Sequence, residues 1–343
     1  MTTFHRFEVS GPGAVHLLQR LTTSDVSKQP GAITHTLLVN GHGGVLSDIF
    51  VSRIEEDLFQ VGANTATDLA YLAREARRQQ KHTPSQWAQV RDVTGSTCCL
   101  GLWGPRAGDV IRTISSDDYS NKGLPYMGVK KTSIAGIPVT MFRKSFVGEF
   151  GWEVQTTPEY GLRLWDLLFQ SGKPHGLVAA GRAAFNGLRI EKGIRASGSD
   201  MTSEHNPWEA GVTYAIQMGK KADYVGKAAL EQLSRKAASK RLRCLTVDDG
   251  RSMVLGKEPV FVEGERAGYV TSAAFGYTVR KPVAYAWLPS NVSEGKSVEI
   301  EYFGKKIRAT VTRDPLHDPQ EQRLRGEGSS EKPELQKRLK SLL

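Results

Sequence analysis

A carboxylate inside an otherwise apolar strand is the first feature of this chain that asks for a chemical explanation. Asp48 lies in Val45-Leu46-Ser47-Asp48-Ile49-Phe50-Val51, and strand alternation sets its side chain on the face of Leu46 and Phe50. Burying a carboxylate there is costly unless it is paired or bound to something; a strand-edge or bulge position that reaches solvent is the alternative. Two further acids, Glu149 and Glu153, flank a glycine turn in Gly148-Glu149-Phe150-Gly151-Trp152-Glu153. Glu153 reads either as a ligand carboxylate or as the outward residue of a surface hairpin. Arg189 falls among apolar helix positions in Leu188-Arg189-Ile190-Glu191-Lys192-Gly193, where by itself it reads as a snorkelling side chain. The loop from Asp200 through Glu204-His205-Asn206-Pro207-Trp208-Glu209 to Gly211 is dense in polar groups, which a helix-capping loop also requires.

Other chemistries lack their residues. No HExxH, no CxxC and no cysteine/histidine cluster at ligand spacing occurs, so no metal site is expected. GxSxG and the P-loop pattern are missing. Gly11-Pro12-Gly13 and Gly41-His42-Gly43-Gly44 lack the third glycine and the βαβ setting of a dinucleotide fingerprint, so neither an NAD nor an FAD site is expected. Cys98 and Cys99 sit in an apolar strand and read as inert buried thiols. Three cysteines in 343 residues build no disulfide framework and fit a reducing compartment.

The elements that must position these groups follow from apolar spacing and turn signals. Phe7 and Val9 mark a strand ending at Gly11-Pro12-Gly13, and Ala14, Leu17, Leu18 and Leu21 follow at helical spacing. Strands over 33–39 and 45–54 flank the hairpin turn Asn40-Gly41-His42-Gly43-Gly44; a third covers 58–62, and Thr65 opens a helix. This order is a meander plus helix, an α+β signature rather than repeated βαβ units. The style recurs with strands at 98–103, 130–134, 137–142 and 152–155 and helices at 160–170 and 179–192. From Leu242 the chain changes to six short runs rich in Val, Ile and Tyr, at 242–247, 259–262, 267–272, 282–287, 297–303 and 306–312. That spacing predicts a small all-β barrel or sandwich. The domain reading is 1–235 for two α+β subdomains, 241–326 for the barrel and 327–343 for a charged tail.

Net charge is +10, with hydrophobic residues at 39%, enough to build cores and to exclude wholesale disorder. The excess is concentrated in residues 220–243, with eight basic and two acidic side chains, and 71–91, with five and one. Neither stretch interleaves with aromatics, so nucleic acid is not an expected partner; a polyanionic small molecule is the alternative to two solvated faces. No apolar run approaches the roughly 18 residues of a membrane helix, so no membrane partner is expected. The N-terminus has no signal- or transit-peptide character, which points to the cytoplasm, with the mitochondrial matrix as the alternative.

Together, Gly43-Gly44-Val45-Leu46-Ser47-Asp48, Gly62-Ala63-Asn64, Phe146-Val147-Gly148-Glu149-Phe150-Gly151-Trp152-Glu153, Leu188 to Gly193 and Glu204 to Gly211 resemble the tetrahydrofolate-binding aminomethyltransferase family. Its founding member is the T protein of the glycine cleavage system. The similarity covers about residues 6 to 326 and is nearest the folate-binding half of dimethylglycine oxidase and of dimethylglycine and sarcosine dehydrogenases. It implies a cloverleaf of three subdomains around a central folate channel, closed by a small C-terminal β-barrel. Position by position, Asp48 matches the family's essential aspartate beside the reacting folate nitrogens, and Asn64, Glu153 and Arg189 match residues around the pterin. Phe146 falls where relatives usually place a Tyr near the folate, and Tyr214 where some place a Trp.

The activity so implied is transfer of a one-carbon unit from an N-methylamine-derived iminium, such as that of dimethylglycine or sarcosine, to tetrahydrofolate. The product is 5,10-methylenetetrahydrofolate, with Asp48 as the catalytic residue. The glutamate tail of folate is then a candidate ligand for the basic stretches. In the oxidase relatives a flavin domain makes the iminium, so a separate flavin-dependent amine oxidase or dehydrogenase, or a missing N-terminal domain, is the implied partner. Relatives carry a longer segment where Met1 to His5 stands. Folate-dependent demethylation of an O- or S-methyl donor is a sister reading. A non-catalytic folate-binding role in iron–sulfur assembly is opposed by Asp223 in Lys221-Ala222-Asp223-Tyr224, where those relatives carry a cysteine; a folded fragment that binds nothing is the remaining alternative.

Overall fold

The computed structural model describes residues 4–326; the tail expected at 327–343 lies outside them. Three bodies follow one another along the chain. The first comprises β1 (His5–Ser10), α1 (Ala14–Leu21), β2 (Ile33–Val39), β3 (Val45–Glu55), β4 (Leu58–Ala63), α2 (Ala66–His82) and β5 (Gln89–Asp92). Its five strands run in the order β2-β3-β4-β1-β5, each pairing antiparallel. Alternation along β3 decides what faces where. Ile49 and Val51 pack with Leu17, Leu18, Leu21 and Leu72 of the helices, and full burial of each such side chain stabilises by roughly 1.5–3 kcal/mol. Asp48, Phe50 and Ser52 therefore point to the opposite face, whereas Leu46 is skipped where the β2–β3 register slips and lies beside Asp68 and Tyr71 of α2.

The second body holds β6 (Cys98–Trp103), α3 (Ala107–Arg112), β7 (Val129–Ile134), β8 (Ile137–Phe142), β9 (Gly151–Thr156), α4 (Pro158–Gly172) and α5 (Arg182–Glu191). Its sheet order is β6-β9-β8-β7, so β9 is an interior strand and all six of its residues are buried. Trp152 and Val154 enter a core with Leu102, Ile137, Met141 and Leu164; Glu153 and Gln155 occupy the other face. Gly151 opens this strand at φ 146°, where an added Cβ would lie 2.0 Å from the Leu102 carbonyl oxygen. Only glycine allows β6 and β9 to pair there.

The two sheets meet through these second faces. Gln60 of β4 donates to Gln155 of β9 at 2.7 Å, and the backbone N–H of Ile33 donates to the Met127 carbonyl at 2.7 Å. Beyond α5, the short α6 (Pro207–Ala210) and α7 (Lys227–Leu233) lead into β10 (Lys240–Val247), β11 (Pro259–Val262), β12 (Glu265–Gly276), β13 (Lys281–Pro289), β14 (Ser297–Tyr302) and β15 (Lys305–Thr312). These close into a barrel in the order β10-β13-β12-β11-β14-β15, followed by α8 (Gln322–Arg325). The α+β reading with its C-terminal barrel holds, and the six strand runs read from sequence are the six staves. β5 was not expected: it ends the basic stretch at 71–91 as a strand beside β1, where Arg91 pairs with Glu8.

Candidate functional site

Between the facing sheets lies a pocket lined by Asp48 and Phe50 from β3, Asn64 from the β4–α2 turn, Lys144 and Phe146 after β8, and Glu153 from β9. Four of the residues singled out in the sequence, Asp48, Asn64, Phe146 and Glu153, thus converge across 105 residues of chain separation, none of which touch in sequence. The strand-edge reading of Asp48 and the surface-hairpin reading of Glu153 both give way here.

Asp48 is held from every side. Its backbone N–H donates to Ser197 Oγ at 3.2 Å, and its carbonyl accepts from Asn64 Nδ2 at 2.5 Å. Asn64 is fixed in turn because the Asp68 carboxylate accepts from the backbone N–H groups of Asn64 and Thr65 and from Ser47 Oγ. These bonds cap the first turn of α2 and tie it to β3. The Asp48 carboxylate pairs with His35 Nε2, from the neighbouring strand β2.

Glu153 is buried and forms an ion pair with Lys144 at 3.1 Å through Oε2. Its other oxygen, Oε1, is buried with no hydrogen-bond partner, a state that costs roughly 1–3 kcal/mol or more for a charged group. Burial, followed by the Glu153 charge, pushes the nearby Cys99 thiol up to about 12, which keeps it protonated and inert, as its apolar strand implied. The Lys144 ammonium lies 4.8 Å from the Phe50 ring centre and 5.6 Å from that of Phe146. Phe146 also stacks on Phe4, with ring centres 5.8 Å apart, and meets Phe185 at 6.1 Å. The pocket therefore combines aromatic faces, the cations Arg6 and Lys144 and acceptor oxygens, a set suited to a flat, polar heterocycle.

Tyr214 and Arg189 sit elsewhere. Tyr214 approaches His35 at 5.4 Å between ring centres, and burial of its hydroxyl, followed by the Asp48 charge, pushes the phenol up. Arg189 is outside the pocket. Its guanidinium pairs with Asp200, and Nε donates to Asn186 at 2.9 Å. Asp200 also accepts from Thr271 at 2.6 Å, Ser272 at 2.5 Å and the backbone N–H of Ala196 at 2.8 Å. Arg189 thus clamps α5 and the 193–200 loop onto the barrel. The polar loop after Asp200 serves the same junction: Asn206 and Glu209 form a capping box for α6, and His205 stacks on Trp287 with ring centres 4.0 Å apart.

Two charged partners of the site carboxylates, His35 of Asp48 and Lys144 of Glu153, had escaped the sequence. His35 was legible in principle, because pairing across the 40–44 turn sets residue 35 opposite 50 and beside 48, but the register slips between Leu38 and Val39. Lys144 lies past the end of β8 and carries no pattern. Among the described residues no helix is long and apolar enough to cross a membrane, and no group of three or more His, Cys, Asp or Glu is placed to hold a metal ion.

Two bodies of α+β structure abutting on a polar pocket, followed by a closed six-stranded barrel, define an aminomethyltransferase fold. The chain belongs to the glycine cleavage T-protein family: the model of its N-terminal domain matches residues 1–220 and that of its C-terminal barrel domain matches 240–318. It is 31% identical over 338 residues to mitochondrial dimethylglycine dehydrogenase of Homo sapiens, covering 97% of this chain and 38% of that protein. It is 28% identical over 317 residues to the aminomethyltransferase of Symbiobacterium thermophilum, covering 91% of this chain and 83% of that one. The solved aminomethyltransferase T of the Bartonella henselae glycine cleavage system superimposes with a TM-score of 0.79 at 25% identity, over 91% of this chain and 84% of that one. The chain therefore spans well under half the length of the dehydrogenase it matches.

Proposed function

We propose that the chain transfers a one-carbon unit from an N-methylamine-derived iminium, such as that of dimethylglycine or sarcosine, to tetrahydrofolate, forming 5,10-methylenetetrahydrofolate. The observation that carries this reading is the buried, unpartnered Glu153 Oε1 in a pocket shared with Asp48, Asn64 and Phe146. The pterin of a reduced folate presents amino and ring N–H donors on a flat ring, which is what an orphaned carboxylate oxygen between aromatic side chains accepts. Tetrahydrofolate supplies the two nucleophilic nitrogens that take up the carbon.

Each residue then has a task. Glu153 anchors the pterin edge, with Lys144 paired to its other oxygen; Phe146 and Phe50 pack on the ring; Asn64 fixes the strand that carries Asp48. Asp48, largely shielded from water, stabilises the developing cation or moves a proton at the reacting nitrogens. Holding both partners together contributes up to roughly 7–11 kcal/mol in favourable cases. Tyr214 walls the channel beside His35, and Arg189 positions the loop carrying Ser197 and does not touch the ligand. A flavin-dependent amine oxidase or dehydrogenase, on another chain or on a longer form of this one, supplies the iminium; the length of the dehydrogenase relative supports this assignment. Calorimetric titration with 5-formyltetrahydrofolate tests the proposal. One-to-one saturable binding that is weakened in Glu153→Ala is expected, and no binding by the folded protein would overturn it.

A further inference from the structure

Lys144 stands beside the Glu153 carboxylate in the pocket, and nothing in the family assignment or the relatives' names gives it a task. It lies two residues past the end of β8, and its carbonyl accepts from Trp103 Nε1 at 3.0 Å, which pins the backbone that carries it. Its side chain is buried, and Nζ lies 3.1 Å from Glu153 Oε2. An ammonium carries three N–H donors, and among the described residues Glu153 Oε2 is the one oxygen paired with them. The rings of Phe50, Phe146 and Phe142 surround the rest of the group, with centres 4.8, 5.6 and 5.9 Å away. Such rings favour the charge but do not replace an acceptor atom.

The ion pair is therefore half-used on both sides. Glu153 Oε1 is a buried acceptor without a donor, and Lys144 keeps donors without acceptors. The neighbouring polar groups are spent on one another. Gln60 and Gln155 exchange amide hydrogen bonds at 2.7 and 3.3 Å, and Arg6 donates to Thr97 Oγ1 at 3.3 Å. His5 Nδ1, on another residue lining the pocket, is also buried without a partner. What the pocket offers beside the aromatic faces is an acceptor and a donor set next to each other.

We infer that Lys144 and Glu153 together select a ring lactam, an N–H next to a C=O, and that Lys144 is the specificity-determining residue that reads the carbonyl; the inference rests on the function proposed above. In a pterin the ring N3–H and the 4-oxo oxygen are neighbours, with the 2-amino group on the other side of N3. Glu153 Oε1 accepts from the N–H groups, and Lys144 donates to the 4-oxo oxygen. A ring with amino groups at both the 2 and 4 positions has no N3–H and turns an N–H donor toward the ammonium, so donor faces donor and Lys144 gains no acceptor. Such a ring binds a lone carboxylate well once it is protonated. Here Lys144 already balances the Glu153 charge, which removes that advantage.

The test uses the whole chain and a matched pair of ligands: 5-formyltetrahydrofolate and the same molecule with an amino group in place of the 4-oxo oxygen. Calorimetric titration of the parent should favour the oxo form by roughly 10²-fold or more, since a site built around a hydrogen bond rejects an analogue unable to make it. Lys144→Met keeps the length of the side chain without its donors or charge. It should bind the oxo form about tenfold more weakly and the amino form more tightly than the parent does, so that the preference is lost. Equal affinities for the two ligands in the parent would overturn the inference, a result that does not depend on whether Lys144→Met folds. An undiminished preference in folded Lys144→Met would overturn it too, and would pass the carbonyl to another donor such as His5. Both results leave the proposed function standing, because the parent still binds the reduced folate. Failure of the folded parent to bind 5-formyltetrahydrofolate would overturn both.

Discussion

Two buried clusters of charge, around Asp200 and around Glu153, are built to opposite rules. Around Asp200 every acceptor is used: the carboxylate takes the Arg189 guanidinium, two hydroxyls and a backbone N–H. Around Glu153 the set is left open, with one oxygen bound to Lys144 and the other facing the pocket alone. Saturation makes a joint that fixes α5 and its following loop to the barrel. An open valence in a place water reaches poorly is a stability cost with no structural return, and so marks a position reserved for a ligand. The contrast also separates two residues that look alike in sequence, Glu153 and Arg189, each a lone charge among apolar neighbours.

The comparison can be broken experimentally, most strongly at Asp48. Asp48→Asn keeps the shape and the hydrogen bond that its backbone N–H donates to Ser197 but cannot carry a proton. Transfer should fall by roughly 10²–10⁴-fold with the melting temperature and folate affinity nearly unchanged, as read by stopped-flow transfer and calorimetry. Asp200→Ala should do the reverse. It strands Arg189 without its carboxylate, a loss of about 3–5 kcal/mol by analogy with other broken buried pairs, measured as a shift in the urea midpoint. A variant that lost transfer without losing stability would erase the distinction between the clusters.

Glu153→Ala should fall between them. Loss of hydrogen bonds to a charged acceptor, worth about 1.5–3 kcal/mol each, should weaken 5-formyltetrahydrofolate at least tenfold, while stability falls by less than in Asp200→Ala, because Lys144 loses its carboxylate but the cost of the orphaned oxygen goes with it. The smallest effect is a pH dependence at the closed junction. Burial, then the Lys240 charge, pushes His205 down from 6.5 to about 4, and its Nδ1 accepts from the Thr202 backbone N–H at 3.2 Å. The folded state therefore binds fewer protons than the unfolded chain between these values. The contribution is complete above about pH 6.5 and is lost as the pH falls through 4. His205→Phe, which preserves the stack on Trp287, should flatten that part of the acid stability curve in thermal melts from pH 4 to 7.

Strands, helices and barrel were largely legible because they rest on local rules. The six staves follow from alternating Val, Ile and Tyr between turn residues, and Thr65 with Asp68 announces α2 as an N-terminal box. Asp48 and Glu153 were legible as oddities, since a carboxylate in an apolar strand violates alternation wherever it sits. What alternation left open was whether each reached solvent, because that depends on what lies across the face. Here the answer is another sheet.

By itself, then, the sequence determined the elements, their order and the identity of the unusual charges, all of which depend on neighbours within a few residues. Only the tertiary structure decided that Asp48, Asn64, Phe146 and Glu153 share one pocket while Arg189 is spent on Asp200. It also decided that His35 stands against Asp48 and that Lys144 answers Glu153. Those outcomes are set by the facing of two sheets and by a one-residue slip in register between Leu38 and Val39. The physical reason is range: propensity and periodicity act along the chain, whereas ion pairing and desolvation act through space between segments that the chain alone does not bring together.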